Sequence, residues 1–107
     1  MLGIVGSSFN FTWTFSNGVE SVSWGLKRDV SDIEQLVTVG LQGKVLLTST
    51  PAYDGRVSGS GSASSGSVVF ILTNINKSDN AVYGCKIVPD GPYDAVFDYV
   101  RLVVQGA

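Results

Sequence analysis

The chain has 107 residues and a mass of 11.3 kDa, long enough for one packed core and too short for two. Apolar residues make up 44% and charged residues 15%, which excludes a disordered chain. Seven Lys and Arg against nine Asp and Glu leave a net charge of -2, scattered without runs, so nothing marks the chain for nucleic acid or an anionic membrane.

No apolar stretch approaches the ~20 residues that span a bilayer, and the N-terminus lacks a basic n-region and signal h-region. Met1 is therefore expected to be an added start residue and Gly106-Ala107 the start of a linker. Phe9, Phe11, Trp13 and Phe15 alternate with Asn10, Thr12 and Thr14, which predicts a strand with an aromatic inner face. Ser16-Asn17-Gly18 has the residues of a tight turn. Val22, Trp24 and Leu26 form the next inward set, ended by a polar loop from Lys27 to Asp32. Ile33 to Val39 and Lys44 to Thr48 read as strands joined through Gly40 to Gly43, and Arg56 to Ser60 as a short strand after a Pro51 to Gly55 turn. The Gly59 to Gly66 patch is rich in Gly and Ser but lacks the Gly-Lys-Ser/Thr ending of a phosphate loop, so it is read as a hairpin connection. Val68 to Ile75, Ala81 to Val88 and Val96 to Val104 complete about eight or nine short strands, an all-β sandwich.

One segment is more specific. Asp79-Asn80-Ala81-Val82-Tyr83-Gly84-Cys85 has the spacing Asp-x-Ala-x-Tyr-x-Cys, and Phe70, Leu72 and Ile75 precede it. Together with Trp24 and Arg56, these residues resemble the immunoglobulin V-set over almost the whole chain. The resemblance implies one domain over residues 1–107, an antiparallel two-sheet Greek-key sandwich of V type. It implies that Arg56 pairs with Asp79, that Tyr83 forms the tyrosine corner, and that Trp24 packs where the family has its bridge between sheets. Trp13 stands at the position of the family's first cysteine, so Cys85, the one cysteine of the chain, has no partner. Loss of such a bridge costs roughly 2–5 kcal/mol, and burying an aromatic side chain recovers ~2–3 kcal/mol, provided its indole N–H finds a partner. The Phe-Gly-x-Gly bulge of antigen-receptor chains is missing as well. The chain is thus similar to N-terminal domains of adhesion or allorecognition receptors, of the carcinoembryonic-antigen or cnidarian type.

Catalysis has little to work with. There is no histidine, the commonest general base and transition-metal ligand. Cys85 falls on an inward position with no imidazole to activate it, which predicts a buried, inert thiol. Asp29, Asp32 and Glu34 lie close in sequence but lack the ligand series of a calcium loop. The expectation is no enzyme, no metal and no cofactor.

Binding remains, and the resemblance implies two surfaces for it. The period of two turns Ser23, Gly25 and Lys27, Gly84, Lys86 and Val88, Ile33, Gln35 and Val37, and Phe97, Tyr99 and Arg101 to the face of one sheet. With Tyr93 from the adjoining loop, the residues expected to meet a protein partner are Ile33, Gln35, Val37, Lys86, Tyr93, Phe97, Tyr99 and Arg101. A second copy of the domain on an apposed cell is the favoured partner. The alternative is an immune-type receptor that takes a foreign protein or glycan on its loop end, formed by Ser16 to Glu20, Gly40 to Gly43 and Val88 to Ala95. Two sequons, at Asn10 and Asn76, fit the implied extracellular, membrane-anchored setting.

Overall fold

The computed structural model describes residues 2–15, 18–29, 32–40, 42–47 and 52–106. Along these residues run nine strands: β1 (Leu2–Ile4), β2 (Phe9–Thr14), β3 (Val19–Asp29), β4 (Asp32–Val39), β5 (Val45–Leu47), β6 (Val57–Ser62), β7 (Ser67–Leu72), β8 (Ala81–Pro89) and β9 (Val96–Gln105). A 3-10 turn at Lys77–Asp79 leads into β8. The strands form a six-stranded sheet in the order β1-β9-β8-β3-β4-β5 and a three-stranded sheet in the order β2-β7-β6.

The alternation read from the sequence builds both inner faces. Phe11 and Trp13 of β2 and Val68, Phe70 and Leu72 of β7 are buried, while Asn10, Thr12 and Thr14 face solvent. Opposite them, Val22, Trp24, Tyr83, Cys85, Leu102 and Val104 close the core from the large sheet. Trp24 is sandwiched between Tyr83, 5.1 Å away and 10° from parallel, and Phe70, 5.9 Å away and 11° from parallel. Its indole N–H has no hydrogen-bond partner among the described residues, which costs roughly 1–3 kcal/mol. Complete burial of the indole, and stacking worth about 0.5–1.5 kcal/mol per ring pair, offset that cost.

Several expectations are revised. Of the polar loop expected from Lys27 to Asp32, Lys27 to Asp29 and Asp32 are strand instead, because β3 and β4 stay paired out to Asp29 and Asp32. β7 ends at Leu72 instead of Ile75, where the chain turns through Asn74 at φ 49°, although Ile75 remains buried. β1 is an addition, a short parallel partner of β9 with Leu2 beside Val103. Met1, the Ser16-Asn17 part of the first turn, Val30, Ser31, Leu41, Thr48, Pro51 and Ala107 lie outside the described residues.

The main correction concerns Val37. Trp24 pairs with Val37 but Gly25 pairs with Gln35, so Leu36 is an extra residue bulged into β4. Both Leu36 and Val37 therefore turn inward and are fully buried. Alternation is right for Ile33 and Gln35 and fails past the bulge, where the outward positions shift by one residue to Thr38.

Candidate recognition face

On the outer face of the large sheet, β9 carries Phe97 and Tyr99, whose rings stack 6.3 Å apart at 12°. Each ring has a lysine beside it: Lys27 Nζ of β3 is 4.6 Å from the Tyr99 centroid, and Lys86 Nζ of β8 is 6.0 Å from that of Phe97. Such contacts contribute about 0.5–1 kcal/mol each at exposed sites and hold both cations close to the sheet. The Tyr99 hydroxyl donates to the Asp29 carbonyl at 3.0 Å, fixing the ring against the end of β3.

Gly84 explains how the ladder lies so flat. A Cβ there would stand 2.6 Å from Ile33 Cγ2 and 2.8 Å from Tyr99 Cε1. The space above this glycine is filled from within the chain, and Ile33 is consequently buried under the ladder, only 7% exposed. Beside it lies a polar patch: Gln35 Nε2 donates to Ser23 Oγ at 3.3 Å, and Ser23 and Thr38 hydroxyls share a hydrogen bond at 3.0 Å.

Gln35, Lys86, Phe97, Tyr99 and Arg101 thus share one accessible face, with Ile33 beneath it. Val37 belongs to the core, and Tyr93, 74% exposed, sits apart on the β8–β9 loop. Sequence reasoning missed both flanks of this face. At one edge Leu2, Ile4 and Val103 are exposed on β1 and β9, and at the other Leu46 of β5 lies opposite Thr38. Leu2 and Ile4 were hidden because β1 was not anticipated, and Thr38 because of the bulge.

The loop end is also assembled. Asp90 N–H donates to the Gly18 carbonyl at 2.7 Å, joining the loops before β3 and after β8, and Gly40 accepts from Ala63 N–H at 3.1 Å. Asn10 is exposed on β2, and Asn76 is exposed at the 3-10 turn, where its side-chain oxygen accepts from Ser78 N–H and from the Ser78 hydroxyl.

At the opposite end, Arg56 grips Asp79 with two parallel bonds, Nη1 to Oδ2 at 2.8 Å and Nη2 to Oδ1 at 2.9 Å. The same guanidinium donates to the carbonyls of Ala52, Thr73 and Asn74. Tyr83 donates its hydroxyl to the Asp79 carbonyl at 2.8 Å and shares a hydrogen bond with Tyr53 at 3.2 Å. Burial pushes the pKa of both tyrosines up, so they stay neutral donors. Tyr83→Phe is expected to lower stability by about 1–2 kcal/mol in a urea titration, since Tyr53 then loses its partner in the core.

The missing bridge has a polar substitute. Trp13 Nε1 donates to Asp98 Oδ2 at 2.7 Å, a bond from the small sheet to the large one. Asp98 is the register partner of Cys85, so this tie crosses where a bridge from β2 to β8 would stand. A hydrogen bond to a charged group contributes about 1.5–3 kcal/mol, and Asp98→Ala should lose about that much in a thermal or urea melt. Cys85 itself is buried, and burial, aided by the Asp98 charge, pushes its thiol up to about 12, leaving it protonated and unreactive at neutral pH. In Trp13→Cys, a bridge to Cys85 is expected to form during oxidative refolding. A mass two protons below that of the reduced variant verifies it, and a persistent pair of thiols contradicts the alignment.

Among the described residues there is no cluster of three or more acidic or thiol groups able to hold a metal, and no helix long and apolar enough to cross a membrane. Comparison with curated proteins finds no match. The family model of the immunoglobulin V-set domain matches residues 1–105. Domains of that family are typically non-enzymatic, usually extracellular, and commonly bind protein partners. The match runs nearly end to end, and the Trp24 stack, the Arg56 clamp and the Tyr83 corner that the resemblance implies are all formed, so this chain belongs to the immunoglobulin V-set family as a member without the disulfide between its sheets.

Proposed function

We propose that residues 1–107 form one recognition module on the extracellular side of a cell-surface receptor, serving cell–cell adhesion or self-recognition without catalysis, metal or cofactor. The partner is a protein, and the favoured one is the same domain on an apposed cell, met through the outer face of the large sheet. The observation that carries this reading is the ladder of Lys27, Tyr99, Phe97 and Lys86, a rigid aromatic surface with cations held at its edges. Aromatic and basic side chains on a flat, preorganised sheet are the composition of an interaction hot spot. An isologous contact repeats each pair twice, so a self-complementary face of this kind engages both rings of each copy. Affinity per domain is expected to be weak, with strength from many copies on facing membranes.

Sedimentation of the purified domain over rising concentration tests this, followed by aggregation of domain-coated beads. A dimer whose Kd rises by about tenfold or more in Tyr99→Glu, with an unchanged circular dichroism spectrum, is the expected result. A protein that stays monomeric at millimolar concentration and whose beads never cluster overturns the homophilic reading. The second reading, a foreign protein or glycan bound at the loop end, is favoured by the tie between Gly18 and Asp90 and by the exposed Tyr93 ring beside it. It predicts that Tyr93→Ala weakens ligand binding while Tyr99→Glu leaves it unchanged.

A further inference from the structure

β2 is the edge of the small sheet, paired only with β7 among the described residues. Phe15 N–H bonds to Gly66 on the β7 side, so by alternation Asn10, Thr12 and Thr14 turn their backbone N–H and C=O groups to the open side. Long exposed edges are normally blunted by lysine, proline, a bulge or a covering segment. β2 has six residues, no charge, no proline and no break in register. Facing it, β9 is joined by β1 only at Val103, Val104 and Gln105 among the described residues. Val5 N–H bonds to the Gln105 carbonyl on that side, so Phe97, Tyr99 and Arg101 direct their backbone groups into the same gap.

Between the two edges lies a cavity of about 260 Å³ lined by Phe11, Thr12, Trp13, Thr14, Asp98 and Val100. Its walls are apolar and aromatic apart from two threonines and one carboxylate. Asp98 uses Oδ2 to accept from Trp13, and a carboxylate has about four acceptor sites, so the bond to the indole leaves it able to take a cation. A second copy of this chain brings another Asp98 to the gap in place of a cation, which argues against self-pairing at this edge.

We propose that the gap between β2 and β9 is a strand-addition site for an extended peptide segment of a partner protein that carries a lysine or arginine. The segment pairs its backbone with Asn10, Thr12 and Thr14 over about 20 Å of β2 and sets its cationic side chain on Asp98. Main-chain bonds supply affinity without sequence, and the carboxylate supplies the choice of side chain. The site is separate from the ladder of the large sheet, so it stands or falls independently of the homophilic reading.

The test uses capped eight-residue peptides that alternate threonine and valine around a central lysine, glutamine or glutamate, titrated into the 15N-labelled protein. The expected result is binding of the lysine peptide at least about tenfold tighter than the glutamine peptide, with exchange protection appearing at the Thr12 and Thr14 amides. Asp98→Asn, which keeps an acceptor for the Trp13 indole, should erase the preference for lysine. Thr12→Pro removes one N–H on the unpaired side, a place where an edge strand tolerates proline, and should weaken all peptides alike. Equal affinity for the lysine and glutamate peptides, perturbations away from β2, no binding at several millimolar, or Thr12 and Thr14 amides already protected before any peptide is added each overturn the proposal.

Discussion

Replacing Asp79 by alanine is expected to cost about 3–5 kcal/mol, enough to leave a domain of this size largely unfolded near body temperature. The carboxylate is buried and accepts from both Arg56 nitrogens and from Asn76 N–H at 3.0 Å, and its removal strands a guanidinium that is itself mostly buried. The damage spreads through Arg56, which also holds the carbonyls of Ala52, Thr73 and Asn74, and so ties the entry to β6 to the end of β7. Asp79→Asn keeps the shape but loses the charge and should fall between wild type and alanine. Urea titrations of the three proteins check the order, and a loss below about 1 kcal/mol for alanine would refute the clamp. The same pair sets the acid limit of stability. Burial alone raises the Asp79 pKa, but the hydrogen bonds from Arg56 and Asn76 and the Arg56 charge outweigh it and hold it below the usual carboxylate value. In the unfolded chain the group protonates near pH 3.9, so its contribution is complete above that value and lost as pH falls through the depressed folded pKa. On the alkaline side the sign reverses. Cys85, Tyr53 and Tyr83 have raised pKa values, so their contribution is complete below the unfolded values, about 8.5 for the thiol and about 10 for the phenols, and declines as pH rises beyond them. With no histidine in the chain, a flat plateau between roughly pH 5 and 8 is expected in a pH series of urea midpoints.

How far the sequence foretold this molecule depended on whether a residue's place follows from a local rule. Phe11 and Trp24 lie in runs of alternating residues, and the period of two assigns them to the core, whereas Phe70 and Leu72, in the unbroken apolar run Val68-Val69-Phe70-Ile71-Leu72, and Tyr83 were placed only through resemblance to a family. Arg56 and Asp79, 23 residues apart, were legible only through resemblance to a family, because no local pattern links them. The Trp13 indole was known to need a partner, yet Asp98 could not be named, since the bond spans 85 residues and depends on how two sheets face each other. Val37 was misplaced for a simpler reason. A bulge shifts the period by one, and nothing in Glu34-Gln35-Leu36-Val37 reveals which of two adjacent apolar residues is extra. β1 escaped because Leu2-Gly3-Ile4 is three residues long, too short to show a period, and its parallel partner lies at the other end of the chain.

Gly25→Ala should be the most disruptive single-methyl change on the proposed recognition face, with a loss of at least about 3 kcal/mol, the upper end of overpacking effects. A Cβ at this position falls 1.8 Å from the Glu34 carbonyl oxygen and 2.7 Å from its carbon, and these are backbone atoms that no rotamer change can move. The contact falls at the bulge: the register shifts between Trp24 and Gly25, where Leu36 is extra, and the Glu34 backbone occupies the space a side chain at Gly25 would need. Relief requires either parting β3 from β4 or straightening the bulge. Straightening returns Val37 to the outer face and exposes a side chain that is now fully buried. Gly84→Ala is the informative comparison. The atoms nearest its Cβ are side-chain ones, Ile33 Cγ2 at 2.6 Å and Tyr99 Cε1 at 2.8 Å, which unlike backbone can be pushed aside, so stability should fall less, by about 1–2 kcal/mol, while the ladder is displaced. The two variants therefore separate fold from recognition. Gly25→Ala should fail in a urea titration before binding can be measured, whereas Gly84→Ala should melt cooperatively and yet lose the proposed dimer in sedimentation. Equal stability of Gly25→Ala and wild type would mean that the bulge at Leu36 is absent, and with it the reason why Ile33 and Gln35 face outward while Val37 does not.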